Sequence, residues 1–403
     1  MKQQLHGQES LFDDSPNVSS YDTGVHDKQR LRELQALPLD RKIMITQTRI
    51  IEWYLKWKGQ VYVSFSGGKD STVLLHIARQ CFPDIEAVFV DTGLEYPELR
   101  KFAKSFDNVT VLRPELRFDE VIRKYGYPVI SKVVSEAIFQ TRRNIKSGNT
   151  DTVRYKQLHG QHMTADGTKK SLYDKSKYQP LLYCNIPISA MCCDVMKKYP
   201  TKKYGRKTGK YPILAQLAEE SRKRTDGWIN SGCNGFHLKY PQSNPMAFWK
   251  EQDVLEYISR YNLPIAPVYG DVVPADNGCQ LCTTGCDRTG CIFCAYGAHL
   301  NGDDRFIRLR ETHPRQYDYC INGGEYGWAG DEKKNTRWKR IEFVTEDGKQ
   351  MTKEEIETFV EEHKDDPRFR FEKVWMPNKH GLGMGHVFDE LNKIYGENFI
   401  RYK

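Results

Sequence analysis

At 403 residues the chain is longer than the roughly 100 to 200 residues of a typical single domain, which predicts two domains or one domain enlarged by insertions. Hydrophobic residues make up 39% of the sequence, which excludes wholesale disorder, and the lack of an apolar run of about 18 residues or of a secretory signal predicts a cytoplasmic protein that does not enter a membrane. Lys and Arg outnumber Asp and Glu by 61 to 53, and the net charge of +8 favours anionic ligands such as nucleotides and permits a nucleic-acid partner.

Strands and helices alternate in the predicted elements after residue 42. Apolar residues recur at helical spacing in the helices and form short buried runs in the strands. This alternation is typical of βαβ units, so we predict an α/β fold in which flanking helices cover a parallel, twisted sheet. The predicted elements are helices at 43–57, 71–80, 96–106, 213–223 and 250–261, and strands at 60–64, 87–90 and 109–112.

A glycine-rich loop connects the strand at 60–64 to the helix at 71–80. At such a junction, backbone N–H groups and the positive end of the helix dipole bind phosphate. The glycines let the backbone approach phosphate oxygens, the serine hydroxyls donate hydrogen bonds, Lys69 adds a positive charge, and Asp70 suits a helix cap. An ordinary capped turn is the alternative, but the complete string after a strand favours phosphate binding. The loop residues are Ser66, Gly67, Gly68, Lys69, Asp70 and Ser71.

This string resembles the PP-loop of the adenine nucleotide alpha-hydrolase-like proteins. The residues that follow the next strand, from Asp91 through Glu95 to Glu98, resemble the phosphoadenosine phosphosulfate (PAPS) reductase branch, and residues 219–224 resemble its Glu-Glu-Ser-x-x-Arg element. The resemblance runs in order from about residue 58 to residue 295. It implies an adenosine nucleotide, either ATP or a sulfonucleotide (PAPS or adenylylsulfate, APS), with Mg²⁺ as a companion of the nucleotide. The residues that it adds to the loop are Asp91, Glu95, Ser221 and Arg224.

Two cysteine motifs lie almost a hundred residues apart. Cys192 and Cys193 are adjacent, a spacing that fits a disulfide poorly, and Cys291 and Cys294 form a Cys-x-x-Cys motif. Such spacing lets two thiolates converge on one metal centre, and four thiolates are the ligands of a [4Fe-4S] cluster. Cluster-bearing APS reductases use a Cys-Cys pair with a distant Cys-x-x-Cys, and the resemblance implies the same four ligands here.

A zinc site is the alternative metal centre. Cys279 and Cys282 form a second Cys-x-x-Cys, which together with Cys291 and Cys294 would make a zinc knuckle. That arrangement leaves the adjacent pair at 192–193 unexplained, so we predict the iron-sulfur cluster.

Composition and resemblance together divide the chain into four parts. The first is a flexible leader at 1–42, and the second is the PP-loop nucleotide-binding α/β domain at 43–270. A Cys-rich cluster segment at 271–300 and a small α+β extension at 301–403 follow. Within the extension, a capping-box signature at Thr352 predicts a helix through His363.

The chemistry expected of the nucleotide depends on a cysteine that this sequence lacks. Thioredoxin-dependent reductases of the PAPS reductase branch carry a nucleophilic cysteine in a Glu-Cys-Gly element near the C-terminus. The last cysteine here is Cys320, and the neighbouring Tyr317, Tyr319 and Ile321 predict that it is buried. The sequence therefore assigns no catalytic residue.

Two classes of function remain. The first is an enzyme of activated sulfur, which either reduces PAPS or APS or uses ATP to adenylate a target oxygen that sulfur then replaces. The second is a non-catalytic nucleotide-sensing or nucleic-acid-associated module with a structural metal centre. We predict the enzyme, with its sulfur donor and acceptor unassigned.

Overall fold

The computed structural model describes residues 26–275, 278, 280–300 and 302–403. Their contacts divide the chain into two compact units. No helix in the residues that the structure describes is long and apolar enough to cross a membrane. The first unit contains Glu95–Arg113, Pro200–Gly290 and the described residues up to Asp91, and the second contains Thr92–Leu94, Pro114–Tyr199 and the described residues from Cys291 to Lys403.

Helices and short strands alternate along most of the described chain. In chain order the helices are α1 (Lys28–Gln35), α2 (Leu39–Lys56), α3 (Lys69–Cys81), α4 (Pro97–Lys104), α5 (Phe118–Tyr125), α6 (Lys132–Lys146), α7 (Val153–Leu158), α8 (Met191–Cys193), α9 (Tyr199–Thr208), α10 (Arg222–Ser231), α11 (Glu251–Arg260), α12 (Arg305–Thr312), α13 (Pro314–Ile321), α14 (Lys353–His363) and α15 (Met384–Tyr395). The strands are β1 (Val61–Ser64), β2 (Ala87–Val90), β3 (Val109–Leu112), β4 (Val129–Ile130), β5 (Tyr211–Ile213), β6 (Asn234–Gly235), β7 (Gln242–Ser243), β8 (Val272–Pro274), β9 (Leu281–Thr283), β10 (Ala295–Tyr296), β11 (Glu325–Lys334), β12 (Arg337–Arg340) and β13 (Phe369–Met376).

The first unit is built on a six-stranded sheet with the order β3-β2-β1-β5-β7-β6. Neighbouring strands run parallel except β6, which is antiparallel to β7. Val61, Tyr62 and Val63 of β1 are all buried, as expected for a central parallel strand that helices cover on both faces. The predicted α/β fold with a mostly parallel sheet is confirmed.

The order of the strands reverses at β1. The chain continues to β2 and β3 on one side of β1, whereas β5 pairs with its other side. In open parallel sheets, ligands bind outside the carboxyl ends of the strands at such a switch point. The segments that follow β1 and β5 are therefore the ones that face the expected binding crevice.

The beginning of the described chain is helical, whereas the sequence predicts a flexible leader there. The Asp27 carboxylate accepts a hydrogen bond from the Arg30 N–H at 2.7 Å and caps α1. Leu31 and Leu34 lie on one face of α1 and are buried in the core of the first unit. The leader prediction is thus wrong for residues 28–42, and residues 1–25 lie outside the described residues.

The segment after β5 also differs from its prediction. Instead of one helix at 213–223, a 3₁₀ turn over Ala218–Glu220 comes first, and α10 begins only at Arg222. The reason is local, because the Ser221 hydroxyl accepts a hydrogen bond from the Arg224 N–H at 3.4 Å and acts as the helix cap. The helix predicted at 250–261 and the strands at 87–90 and 109–112 are confirmed.

The second unit contains a three-stranded antiparallel sheet in the order β12-β11-β13, and β4 pairs in parallel with β10. Its core includes Phe306 and Phe388, whose ring centres lie 4.7 Å apart. The predicted helix after Thr352 is confirmed as α14. Its capping box is complete, since the Glu355 N–H donates to the Thr352 hydroxyl and the Thr352 N–H donates to the Glu355 carboxylate.

Candidate functional site

The glycine-rich loop lies between β1 and α3, at the switch point of the sheet. Gly67 has φ +74°, a conformation that residues with a Cβ atom rarely adopt. A Cβ atom there would also lie 3.0 Å from the Ala103 Cβ and 3.1 Å from the Leu99 Cδ2. Both backbone geometry and packing against α4 therefore require glycine at position 67.

The two serines of the loop stabilise its shape. The Ser66 N–H donates to the Ser71 Oγ at 3.2 Å, and the two hydroxyl oxygens lie 3.0 Å apart. The Ser71 hydroxyl in turn reaches the Gly68 carbonyl at 2.9 Å. Gly68 is the N-cap of α3, and no side chain caps the helix there, so the prediction that Asp70 is the cap is wrong. The positive end of the α3 dipole consequently faces the loop.

Lys69 connects the loop to two distant segments of the first unit. It is buried, and its Nζ donates to the Glu251 carboxylate and, at 2.5 Å, to the Asp287 carbonyl. The Lys69 N–H donates to the Tyr269 hydroxyl at 3.3 Å, and that hydroxyl lies 2.6 Å from the Thr289 Oγ1. The sequence predicts a phosphate contact for Lys69, but in this structure its ammonium group binds a carboxylate and a carbonyl.

The element after β5 is centred on a carboxylate between two guanidinium groups. Arg224 donates to one oxygen of Glu220, and Arg288 donates to the other at 2.5 Å. The neighbouring Glu219 carboxylate accepts from the Glu251 N–H at 2.5 Å, and Glu251 also binds Lys69. Glu251 therefore links the loop to the segment that follows β5.

Asp70 has an unusually high pKa for a carboxyl group. Burial is the main cause and raises the pKa to about 6; Glu220 and Glu251 add to the increase, whereas Lys69 and Arg288 oppose it. Near neutral pH this carboxyl therefore gains or loses a proton in response to small changes of nearby charge, such as those that an anionic ligand brings.

We expect Asp70→Asn to stabilise the protein relative to the parent, and the stabilisation to grow as the pH rises from about 4 to about 7. Between the ordinary pKa of 3.8 and the folded pKa near 6, the unfolded carboxyl has lost its proton while the folded one retains it, so parent stability falls with rising pH. The shift corresponds to roughly 3 kcal/mol. Chemical unfolding of both proteins across this pH range measures the effect. A stability difference that does not change with pH would contradict the assignment.

Asp91 and Glu95 lie in a separate group of charges next to α4. Burial raises the pKa of Asp91, but hydrogen bonds from Arg100, at 2.8 and 2.9 Å, and from Lys104, at 2.5 Å, outweigh it and hold the pKa at about 2. Glu95 is buried and acts electrostatically on the same Arg100. The structure therefore pairs Asp91, a predicted nucleotide-binding residue, with Arg100 and Lys104 of α4.

The predicted cluster ligands come together in the second unit. The Cys192 and Cys193 sulfurs lie 4.0 Å apart, and the Cys294 N–H donates to the Cys291 carbonyl at 2.9 Å. The pKa of Cys192 is raised by its hydrogen bond with Cys193, by burial and by the charges of Cys193, Cys294 and Cys291. The Cys-Cys pair and the Cys-x-x-Cys motif, almost a hundred residues apart in the sequence, are thus close enough for the charge of one to affect the ionisation of the other.

The surroundings favour ionised sulfur at Cys193 but not at Cys192 or Cys294. The hydrogen bond from Cys192, together with the charges of Lys132 and Lys197, lowers the pKa of Cys193 to about 6 against the effect of burial. The hydrogen bond with Cys193 raises the pKa of Cys192, and burial raises the pKa of Cys294. Thiolates are the form of cysteine that binds metal. The Tyr296 hydroxyl is buried close to Cys192 and Cys294. The four thiols, the cations and this donor fit a thiolate-ligated metal centre.

The described residues do not form a site for a single metal ion. Among the described residues, no three His, Cys, Asp or Glu side chains lie close enough together to hold one metal ion. A zinc ion binds its thiolates at about 2.3 Å, whereas a four-iron cluster has one iron for each thiolate and spaces the sulfurs more widely. Of the alternative zinc ligands, Cys282 belongs to the first unit and Cys279 lies outside the described residues.

The model of the phosphoadenosine phosphosulfate reductase domain matches residues 60–130 and 148–296, which is more than half of the chain. The chain belongs to the PAPS reductase family. Membership supports a PP-loop function related to sulfonucleotides. The loop at 66–71, the element at 219–224 and all four predicted cluster cysteines fall within the matched residues of the PAPS reductase domain.

Several known proteins are similar to this member of the PAPS reductase family. An uncharacterized protein of Methanocaldococcus jannaschii is 24% identical over 303 residues, which are 72% of this chain and only 56% of that protein. An adenosine 5'-phosphosulfate reductase of Bacillus mycoides is 22% identical over 242 residues, 58% of this chain and 78% of that enzyme. A Bacillus cereus enzyme of the same name is 24% identical over 243 residues, 58% of this chain and 78% of that enzyme.

Two solved structures are similar at low scores. The phosphate complex of PAPS reductase from Candida auris has a TM-score of 0.31 and 13% identity, covering 60% of this chain and 90% of that one. Candida glabrata FMN adenylyltransferase in complex with ATP has a TM-score of 0.29 and 14% identity, covering 62% and 64%. At these scores the alignments carry no information about side-chain positions.

The sequence did not predict which residues of other segments form hydrogen bonds with the loop at 66–71. Tyr269 and the residues 287–289 lie in or next to the Cys-rich segment, whose sequence pattern points to metal ligands and not to contacts with the loop. Glu251 lies in a correctly predicted helix, but no local pattern pairs it with a lysine 182 residues away.

Proposed function

We propose that this chain is a PP-loop enzyme that binds an adenosine nucleotide, ATP or a sulfonucleotide, at residues 66–71 and acts in sulfur transfer or sulfonucleotide chemistry. The observation that carries the proposal is that Glu251 links two elements at the β1/β5 switch point, because its carboxylate binds Lys69 and its N–H binds Glu219. One is the loop at the start of α3, and the other is the Glu219–Arg224 element. Phosphate at a helix N-terminus beside guanidinium groups is a common arrangement for binding a nucleotide.

The contacts of the loop indicate how a nucleotide would be bound. Gly67 and Gly68 leave the backbone open to phosphate oxygens, and the α3 dipole attracts negative charge. Arg224 and Arg288 both bind Glu220 in this structure, and an incoming phosphate or sulfate would compete with that carboxylate for them. Mg²⁺ would accompany the nucleotide phosphates.

The metal centre of the proposal is a [4Fe-4S] cluster on Cys192, Cys193, Cys291 and Cys294. The mutual influence of the four thiols and the cations around Cys193 support it. Such a cluster, when bound, supplies redox chemistry or a place to hold sulfur.

The reaction of the proposal is adenylation followed by sulfur transfer, which needs no mobile nucleophilic cysteine. An oxygen of the acceptor attacks the α-phosphorus of ATP, and pyrophosphate leaves. A sulfur donor then attacks the activated carbon of the acceptor and AMP departs, so the oxygen leaves with the nucleotide.

Lys69→Ala and Arg224→Ala are each expected to weaken binding of the preferred nucleotide about ten- to a hundredfold, because a charge-assisted contact is worth on the order of 1.5 to 3 kcal/mol. The effect of Lys69→Ala on nucleotide binding is expected to be indirect, through the shape of the loop. The Lys69 ammonium group connects the loop to Glu251 and Asp287, and alanine would remove both contacts. Calorimetry with ATP, PAPS and APS measures the affinities and identifies the nucleotide.

Lys223→Ala is the matched control for this prediction. Lys223 is exposed on the same turn of α10, so its replacement removes the same charge without touching Glu220. If Lys69→Ala and Arg224→Ala bind all three nucleotides as the parent does, the loop is not the site. Tight binding of ATP without pyrophosphate or sulfite release under any condition would instead favour a non-catalytic nucleotide-sensing module.

A further inference from the structure

The second unit carries a strongly basic hairpin that neither the nucleotide loop nor the thiols use. β11 and β12 pair as far as Lys334 opposite Arg337, which leaves Asn335 and Thr336 as a two-residue turn. Asn335 has φ +58°, the left-handed conformation that tight hairpin turns favour. The connection is therefore a defined turn rather than a loose loop. Residues 333–340 are called the hairpin tip below.

Positive charge is concentrated in the hairpin tip. Its eight residues have five cationic side chains and no acidic one, whereas the whole chain has a net charge of +8. Lys334 lies 3.0 Å from the Glu332 carboxylate, and Arg340 lies 3.9 Å from Asp331. The cations with no ion-pair partner in the described part of the chain are exposed; they are Lys333, Arg337 and Lys339.

Aromatic rings accompany these cations on the same sheet. The guanidinium carbon of Arg370 lies 3.5 Å from the centre of the Trp338 ring, and the Lys373 Nζ lies 5.7 Å from the centre of the Trp328 ring. Surfaces that bind phosphate backbones and stack bases commonly combine cationic side chains with aromatic rings.

The charge of the neighbouring helix limits where a polyanion can lie. α14 packs on β13 through Phe359, whose ring is 5.8 Å from Phe369 and 6.1 Å from Phe371. Its sequence, Lys-Glu-Glu-Ile-Glu-Thr-Phe-Val-Glu-Glu-His, contains five glutamates. Cross-strand partners share a face of the sheet, so Lys333, Trp338 and Arg370 lie on the face opposite α14, whereas Arg337 and Lys339 lie on the α14 face. The glutamates of α14 repel a polyanion, which is therefore attracted to the hairpin tip chiefly on the face of Lys333, Trp338 and Arg370.

We propose that the hairpin tip binds the phosphodiester backbone of a nucleic acid. The inference goes beyond the proposed function, because it concerns a separate surface and does not depend on which nucleotide the loop takes.

The test uses the full-length protein and fluorescently labelled 20-nucleotide single-stranded RNA, single-stranded DNA and duplex DNA of one sequence. The variant Lys333→Gln/Arg337→Gln/Lys339→Gln removes three exposed charges that have no ion-pair partner in the described part of the chain. Each phosphate contact contributes about 0.7 to the salt slope for single strands, so the loss of three predicts roughly 100-fold weaker binding at about 0.1 M salt. The slope itself should fall by about 2.

Two further variants separate binding from general charge and from folding. Lys56→Gln/Lys101→Gln/Lys207→Gln removes the same charge from exposed positions in the first unit and is expected to bind as the parent does. Lys333→Arg/Lys339→Arg keeps the charges of the hairpin tip and is expected to retain binding. The arm with the highest affinity identifies the kind of nucleic acid.

Three outcomes would overturn the proposal. The first is a parent protein that binds none of the three oligonucleotides at micromolar concentrations. The second is equal loss of affinity in the hairpin-tip variant and in the Lys56, Lys101 and Lys207 control. The third is a polyglutamate peptide that binds the hairpin tip as tightly as the oligonucleotides do, which would assign the surface to an acidic protein.

Discussion

Anaerobically purified protein is expected to contain about four irons per chain, and to lose essentially all of them when Cys192 or Cys291 is replaced by serine. Each of these cysteines supplies one of four thiolates, and the hydroxyl of serine is a poor substitute for a thiolate. Either change leaves three ligands in a pocket whose cations, Lys132 and Lys197, favour negative sulfur. Iron and sulfide analysis and the broad absorbance at about 400 nm measure the loss.

Cys282→Ser is the matched control for the cluster. Cys282 is half-buried on β9 and is none of the four predicted ligands, so the same chemical change is expected to leave the iron content unchanged. The cluster assignment is wrong if the protein contains stoichiometric zinc and no iron, and if Cys279→Ser but not Cys192→Ser releases the zinc. The metal centre would then be a zinc site.

Thioredoxin-dependent release of sulfite from PAPS or APS is expected to be absent or very slow. Reduction requires a thiolate that attacks the sulfur of the sulfo group, displaces the nucleotide and is then attacked by thioredoxin. Cys320 is fully buried, its sulfur lies 3.5 Å from the Met384 sulfur, and burial raises the pKa of its thiol. It therefore cannot act as an accessible thiolate, and its predicted burial is confirmed.

The assay incubates cluster-loaded protein with each sulfonucleotide and reduced thioredoxin and measures sulfite. Cys320→Ser is tested in parallel, and ATP with candidate acceptors is assayed for pyrophosphate and AMP. Rapid sulfite formation that disappears in Cys320→Ser would show that this buried cysteine becomes exposed and is the nucleophile. Sulfite formation that persists in Cys320→Ser would point to another thiol and would also contradict the expectation.

Local sequence patterns correctly predicted several strands and helices of the unit that contains the candidate nucleotide site. The strands at 87–90 and 109–112 and the helix at 250–261 agree with the structure because short apolar runs and helical periodicity depend on neighbours in the sequence. The prediction of one helix at 213–223 is wrong because the Ser221 hydroxyl caps α10 and starts the helix later. The prediction of a flexible leader is wrong for residues 28–42 because two leucines of α1 pack in a core to which later segments, as far as Ile258, contribute.

By itself the sequence determined the family, the position of the candidate phosphate-binding loop and the identity of the candidate metal ligands, because each depends on residue types at fixed short spacings. Only the tertiary structure decided the partners of these residues. It pairs Lys69 with Glu251 and Asp287, holds Glu220 between Arg224 and Arg288, and binds Asp91 to α4. Such contacts join residues up to 218 positions apart, and they depend on strand order and helix packing rather than on any local pattern.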